Sequence, residues 1–329
     1  MFFIRFLKGA NLLIFRRINL LLQSIITIMN RKSVSHILIF IANLIYAINY
    51  TFAKDVMPDF IQPSGFILLR VVGAVTFFSI YYLLFMNESV EKKDIIRLAI
   101  CGVFGVAINQ LLFFEGLNLT TPINAAIIMT INPVLVIIMS ALILFEKINI
   151  RKAIGIALGF VGASTLILNG GNVSGNTNYM LGNIFVFFNA ASYGLYLVLV
   201  KPMMQKYHPI TVMFYVFGFG LLYVLPFGYT ELMVVDWLSF PRIIIWEVLF
   251  VVICTTVIAY LLNSSALKLL NPSTVSIYIY LQPVLATLFA IIRGSDSLDE
   301  MKIISAIIIF VGVYLVSVRS KKQKTNKLS

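Results

Sequence analysis

Leu111–Leu135, LLFFEGLNLTTPINAAIIMTINPVL, and Leu261–Leu285, LLNSSALKLLNPSTVSIYIYLQPVL, stand 150 residues apart and share one register. Leu111-Leu112 meets Leu261-Leu262, Leu117 meets Leu267, Leu119 meets Leu269, Pro122 meets Pro272, and Pro133-Val134-Leu135 meets Pro283-Val284-Leu285. The register continues beyond the quoted stretch, with Lys152 opposite Lys302 and Phe160-Val161-Gly162 opposite Phe310-Val311-Gly312. Leucine and valine matches come cheaply in an apolar chain, but two prolines, a lysine and a Phe-Val-Gly triplet held without a gap do not. The chain therefore reads as an internal duplication. The first helices of the copies align less closely: Tyr46 and Lys54 fall opposite Tyr193 and Lys201 at an offset of 147, which a loop insertion explains.

The surroundings of the duplicated stretch decide its solvent. Of 329 residues, 60% are apolar and only 12% charged, with a mean hydropathy of +0.98; soluble domains run at about 45–50% and 25%. No single core hides that much apolar surface from water in a chain this size, so lipid must solvate most of it. Apolar runs near one membrane thickness fall at roughly 35–53, 64–85, 95–116, 122–144, 151–168, 181–200, 211–229, 243–263, 273–292 and 302–318. They lack the alternation of barrel strands, and only helices or closed barrels satisfy the backbone in lipid. The expected fold is an all-α integral membrane protein of ten transmembrane helices. Cys101 and Cys254 both sit inside apolar runs and read as packing residues.

Basic residues set the orientation, since Lys and Arg near helix ends resist translocation. From Met29 onward sixteen of them, among them Arg31, Lys92, Arg97, Lys147, Arg151, Lys201, Lys206, Lys268 and the cluster from Arg319 to Lys327, fall on one side. Only Lys54, Arg242, Arg293 and Lys302 fall on the other. Both termini are expected in the cytoplasm, and the net charge of +12 is explained without nucleic acid. Because each copy crosses the membrane five times, the copies enter from opposite faces, which makes two five-helix inverted repeats. Such pairs are the usual construction of secondary carriers. The expected units are an N-terminal segment 1–34, a first repeat 35–168, a turn-rich linker 169–180, a second repeat 181–318 and a basic tail 319–329. Residues 1–28 are apolar but interrupted by Arg16 and Arg17. They read either as an amphipathic surface helix or, the favoured reading, as an extension ahead of a start at Met29.

Several features together resemble one family: Asn49 through Lys54 closing the first span, Arg70 in the Leu-Leu-Arg of the second, and Gly116-Leu117 ending the third. Pro133 and Pro283 in the fourth and ninth, with glycine-rich fifth and tenth spans, complete the pattern. The chain resembles the EamA-type carriers of the drug/metabolite transporter superfamily over residues 35–318. That resemblance implies a central cavity between the repeats and transport of small organic solutes, often export of amino acids or related metabolites. One departure is Ser295-Asp296-Ser297 where the first copy has Phe145-Glu146-Lys147, so the loop after the proline helix is loosely repeated.

Polar residues at membrane depth are costly and are functional candidates, with a hydrogen-bonded helix contact as the competing explanation. Arg70 is the sharpest, and Glu115 lies at comparable depth on the next span. Three readings stand for Glu115: a structural pair with Arg70, a proton or substrate site, and exposure to the outer interface. Pro133 and Pro283 sit mid-span and free the carbonyls of Met129 and Ile279, with Asn132 and Gln282 immediately before them; a hinge with a recognising amide is expected in each copy. On the first span Asn43, Tyr46, Tyr50 and Lys54 share one face, a stripe suited to a cavity wall. Tyr193, Tyr278 and Gln110 add polarity elsewhere. Gly155, Gly159 and Gly162 read as a close-packing face.

Enzyme readings find little in the sequence. His36 lies at the cytoplasmic end of the first span and His208 in the loop after the sixth, no paired His/carboxylate metal spacing occurs, and no phosphate-binding Gly-x-x-x-x-Gly-Lys-Ser/Thr loop is present. No cofactor or metal is expected. A membrane-embedded enzyme acting on a lipid-linked or small polar substrate is the alternative to a carrier. The expected partners are the lipid bilayer and a small-molecule solute, with a homodimer allowed and no nucleic acid, in a bacterial-type plasma membrane.

Overall fold

A computed structural model describes residues 31–86, 88–144, 150–169, 178–295 and 297–317, and no strand occurs among them. The expectations for residues 1–28, for most of the linker, for Phe145-Glu146-Lys147 and for the basic tail lie outside the described residues.

Helix α1 runs Arg31–Val56, α2 Pro63–Phe85 and α3 Lys92–Leu119. Helix α4 comes in two pieces, Pro122–Met129 and Asn132–Leu144, followed by α5 at Ile150–Asn169. Then come α6 Tyr179–Lys206, α7 Pro209–Met233 and α8 Arg242–Leu269. Helix α9 is Pro272–Ile277, a tight 3-10 turn at Tyr278–Tyr280 and Leu281–Arg293; α10 is Glu300–Ser317. Pro63, Pro122, Pro209 and Pro272 each open a helix, where the missing N–H costs nothing and φ is already helical. Among the described residues eight helices, α1–α4 and α6–α9, are long and apolar enough to cross a membrane. Large apolar side chains on the outside, such as Leu83 at 75%, Ile292 at 72% and Trp246 at 69% exposure, fit a lipid surround.

Helix α6 runs further than the apolar window 181–200 because Lys201 and Pro202 do not end it. The lysine is satisfied by carbonyls of α8, and the proline removes a single ladder bond near the last turns.

Contacts fix the relative directions. Thr120 at the end of α3 donates to Asn183 near the start of α6, whereas Lys206 at the end of α6 pairs with Asp94 at the start of α3, 2.6 Å apart. The two helices are therefore antiparallel, and so are α2 and α7, since the Gly65 N–H donates to Glu231 at 2.7 Å. The bundle has one end carrying Val56, Pro63, Leu119 and Arg293, and an opposite end carrying Asp94, Lys206 and Leu269.

The backbone departs from regular α-helix at matched places. A π-helical segment occupies Val103–Ala107 in α3 and Phe250–Ile258 in α8. In α4 the break falls at Thr130-Ile131, whose N–H groups reach back only three residues, to Ile127 and Ile128; in α9 it is the 3-10 turn at Tyr278–Tyr280. Both breaks precede the prolines Pro133 and Pro283 as steric exclusion of the preceding turn requires. Helices α5 and α10 pack on each other through glycine. A Cβ on Gly312 would lie 2.6 Å from the Gly155 carbonyl oxygen, and one on Gly162 would lie 3.0 Å from the Ile309 nitrogen. Only glycine permits that approach.

Candidate functional site

A cavity lies where α1, α2, α3, α4, α6, α8 and α9 converge, within about 650 Å³ of non-protein space that includes open solvent. Seven residues singled out from the sequence line it: Asn43, Tyr46, Tyr50, Arg70, Gln110, Tyr193 and Gln282. Asn49, Asn109, Phe113, Met129, Asn189, Thr255, Tyr260 and Asn263 contribute as well.

The stripe on α1 is held from across the bundle. Gln282 Nε2 donates to Asn43 Oδ1 at 2.7 Å, and the Tyr50 hydroxyl donates to Gln282 Oε1 at 2.9 Å, so one amide of α9 spans two turns of α1. Asn43 Nδ2 in turn donates to the Ile39 carbonyl at 2.7 Å. Lys54, at the end of the same stripe, leaves the cavity: its ammonium donates to the carbonyls of Leu117 and Asn118 at the C-terminus of α3.

Arg70 is 3% exposed. Its Nε donates to Thr256 Oγ1 at 2.7 Å and its guanidinium carbon lies 4.5 Å from the centre of the Phe114 ring. The Thr256 hydroxyl donates to the Val251 carbonyl, five residues back within the π-helical segment of α8. The expected Arg70–Glu115 pair is not formed. Glu115 accepts a 2.8 Å bond from the Ser64 hydroxyl, and Ser64 precedes Arg70 by six residues, about 9 Å of helix. The α3 residue that reaches Arg70 is Phe114, one position earlier. Glu115 is half-buried near the end of the bundle and outside the cavity wall.

Two other candidates also lie outside that wall. Asn132 is fully buried and donates to the Ala190 carbonyl at 2.6 Å. The Tyr278 hydroxyl lies 2.8 Å from His36 Nδ1, linking α9 to the start of α1.

Residues that the sequence reading missed close the middle of the site. Gln110 Nε2 donates to the Tyr260 hydroxyl at 3.3 Å, and that hydroxyl faces the Gly105 carbonyl at 3.2 Å and Asn109 Oδ1 at 3.3 Å. Gly105 lies in the π-helical segment of α3. Asn189 Nδ2 donates to the Asn109 carbonyl at 2.6 Å, and Asn263 Nδ2 donates to the Tyr193 hydroxyl. A signal for Tyr260 existed: it stands 150 residues after Gln110. The two repeat mates touch each other.

At one end of the bundle Arg293 joins Asp55 at 2.8 Å and Glu247 at 2.6 Å, tying α1, α8 and α9 together beyond the cavity. Glu247 is 1% exposed. At the opposite end Lys206 bridges Glu91 and Asp94; the bonds from Lys206 and Lys93 hold the Glu91 carboxyl below its usual range. Among the described residues no cluster of three or more His, Cys, Asp or Glu side chains is placed to hold a metal ion.

A bundle of membrane-length helices around a partly open chamber, with one arginine and several amides set in a largely apolar wall, fits the architecture of a solute carrier. The sequence model of the EamA-like transporter family matches residues 33–168 and 180–318. This chain belongs to that family, within the drug/metabolite transporter superfamily, and is a multi-pass membrane protein. It is 24% identical to the uncharacterized transporter YyaM of Bacillus subtilis over 74% of this chain and 81% of that one. It is 24% identical to an uncharacterized transporter of Archaeoglobus fulgidus over 88% of this chain and 99% of that one. A protein crystal structure 18% identical in sequence superposes with a TM-score of 0.60, over 87% of this chain and 98% of the other, and shares the fold.

Proposed function

We propose that the chain is a secondary transporter of small organic metabolites, an exporter of amino acids or related solutes, that works by alternating access rather than as an enzyme. Its ten helices form two inverted five-helix repeats, 35–168 and 181–318, in a bacterial-type plasma membrane with both termini cytoplasmic. The Val56–Pro63 end of the bundle then faces outward.

One observation carries the reading: the cavity is walled by both halves, and contacts between the halves recur at the repeat spacing. Gln282 bonds to Asn43, and their mates Asn132 and Ala190, at offsets of 150 and 147, bond to each other. Gly162 packs on Ile309 and Ser305, and its mate Gly312 packs on Gly159 and Gly155, the mates of those two residues. Each half thus grips the other by the same handholds, and exchanging the two packings carries a central site from one side to the other.

The test is mass spectrometry of solutes leaving proteoliposomes loaded with a metabolite mixture, with and without an imposed pH gradient. Selective loss of unchanged solutes is expected. Chemically altered solutes without net movement would replace the carrier by a membrane-embedded enzyme.

A further inference from the structure

Arg70 is the one residue lining the cavity that carries a formal charge at neutral pH; none of the described lining residues is Asp, Glu, Lys or His. Its Nε is used by Thr256 and its face by Phe114. The two terminal nitrogens make no hydrogen bond to any described residue. A guanidinium with a purely structural task at this depth is usually met by a carboxylate. The carboxylates on the surrounding helices are engaged elsewhere: Glu115 with Ser64, Glu231 with the Gly65 N–H, and Glu247 with Arg293. Thr256 and Phe114 therefore aim a cation into the chamber and leave its bidentate edge unused, the geometry that receives a planar oxyanion.

Acceptors stand within the rest of the wall, turned away from its open space in this structure, so that a solute meets them only as their side chains turn inward. The side-chain oxygens of Asn49, Gln110, Asn189 and Asn263 are buried without a hydrogen-bond partner. Such oxygens are costly to leave bare and want N–H or O–H donors. Apolar surface from Ile39, Phe113 and Met129 completes the lining.

We propose that the chamber binds an organic anion of net charge −1: a carboxylate seated on Arg70, a hydroxyl or amide donor on the amide oxygens, and a compact apolar body. This rests on the carrier reading above and, among the solutes that reading allows, sets organic acids ahead of amino acids. A solute of net charge −1 neutralises the chamber. A zwitterionic amino acid leaves the guanidinium charge uncompensated overall and brings an ammonium into the same chamber with only neutral oxygens to receive it. A cation is repelled outright.

The test uses the purified full-length protein in detergent micelles and three matched series of probes. Lactate, 2-hydroxyisocaproate and 3-phenyllactate are compared with alanine, leucine and phenylalanine, and with alaninol, leucinol and phenylalaninol. Binding is read by calorimetry and by ligand-induced thermal stabilisation. At least one hydroxy acid is expected to bind about tenfold or more tighter than its amino acid, a difference of about 1.4 kcal/mol, and the amino alcohols are expected not to bind. Arg70→Gln is expected to lose the hydroxy acid by a similar factor, and Arg70→Lys to retain part of it. Amino acids binding as tightly as the hydroxy acids, or no hydroxy acid binding at all, would overturn the proposal on the wild-type protein alone, whether or not the variants fold. Proteoliposome efflux separates the two readings. Hydroxy-acid binding without movement would leave the anion site and remove the carrier, whereas efflux confined to amino acids or amines would leave the carrier and remove the anion site.

Discussion

Lys54 and Lys201 make the same bond at opposite ends of the bundle. Lys54 on α1 donates to the carbonyls of Leu117 and Asn118 at the C-terminus of α3. Lys201 on α6 donates to those of Leu267 and Leu270 at the C-terminus of α8. Since Asn183 of α6 meets the end of α3, Lys201 sits eighteen residues further along, about 27 Å of helix. The last carbonyls of a helix lack intrahelical donors and carry its negative end, so each ammonium answers both deficits at once.

The equivalence can be weighed. Lys54→Met and Lys201→Met, which keep the alkyl stem, are each expected to cost about 1–2 kcal/mol. The double variant is expected to cost their sum, because the sites share no partner. Reversible unfolding in mixed micelles measures all three. A large cost at one lysine and none at the other would contradict the matched roles.

Gln282 and Asn132 occupy matched positions but carry unequal loads. Gln282→Leu strands two buried groups, Asn43 Oδ1 and the Tyr50 hydroxyl, and is expected to destabilise by about 2–4 kcal/mol. Asn132→Leu removes a bond to the Ala190 carbonyl and also removes Asn132 Oδ1, which is itself buried without a partner. Its net effect is expected to stay within about 1 kcal/mol. The same unfolding assay orders the two, and a reversed order would mean the α1 stripe is held by something other than Gln282.

The sequence displays what is periodic or punctuated and hides what is geometric. Apolar runs marked the eight membrane-length helices found among the described residues, and Pro133 and Pro283 marked the breaks in α4 and α9 to within a few residues, because proline excludes the preceding turn whatever surrounds it. No residue type announces a π-helical segment, so the ones in α3 and α8 were invisible, and with them the contact of the Gly105 carbonyl with Tyr260 and the placement of Thr256 against Arg70. Depth alone suggested Glu115 as the partner of Arg70. The azimuth around α3, which the sequence does not give without a partner helix, turned Phe114 inward instead. Lys54 looked like a cavity residue because it shares a helical face with Tyr50, but a long side chain at a helix end reaches beyond its face. Tyr260 is legible through its mate Gln110, because the two repeat mates meet across the axis of the duplication.

Pro133 and Pro283 sit directly after the breaks in α4 and α9, and those breaks flank residues of the cavity wall: Met129 before one, Gln282 after the other. If the breaks are where the halves bend as they exchange packings, Pro133→Ala and Pro283→Ala let the helices close their ladders and stiffen. Transport rate is expected to fall about tenfold, near 1.4 kcal/mol on the barrier, while solute affinity changes less than twofold. Paired measurements of efflux and equilibrium binding decide it. Equal losses in both would make the prolines part of binding and not of motion.

His208 gives the bundle a pH-sensitive join outside the membrane-length helices. Its Nδ1 accepts the Ile210 N–H at 3.3 Å and so caps the start of α7, which requires that nitrogen to be unprotonated. Burial, and then the charge of Lys268, hold the imidazole below its usual range. A base whose folded value is depressed binds fewer protons in the folded state. Its contribution is therefore intact above the unfolded value of about 6.5 and declines as the pH falls below that, until the folded imidazole also protonates. Wild-type protein is expected to lose stability as the pH falls below about 6.5. His208→Asn, which can still cap through its side-chain oxygen but does not titrate, is expected to hold level across that window. Unfolding midpoints of both proteins at half-unit pH intervals measure the difference. Parallel curves would show that the α7 cap does not depend on the charge of this histidine.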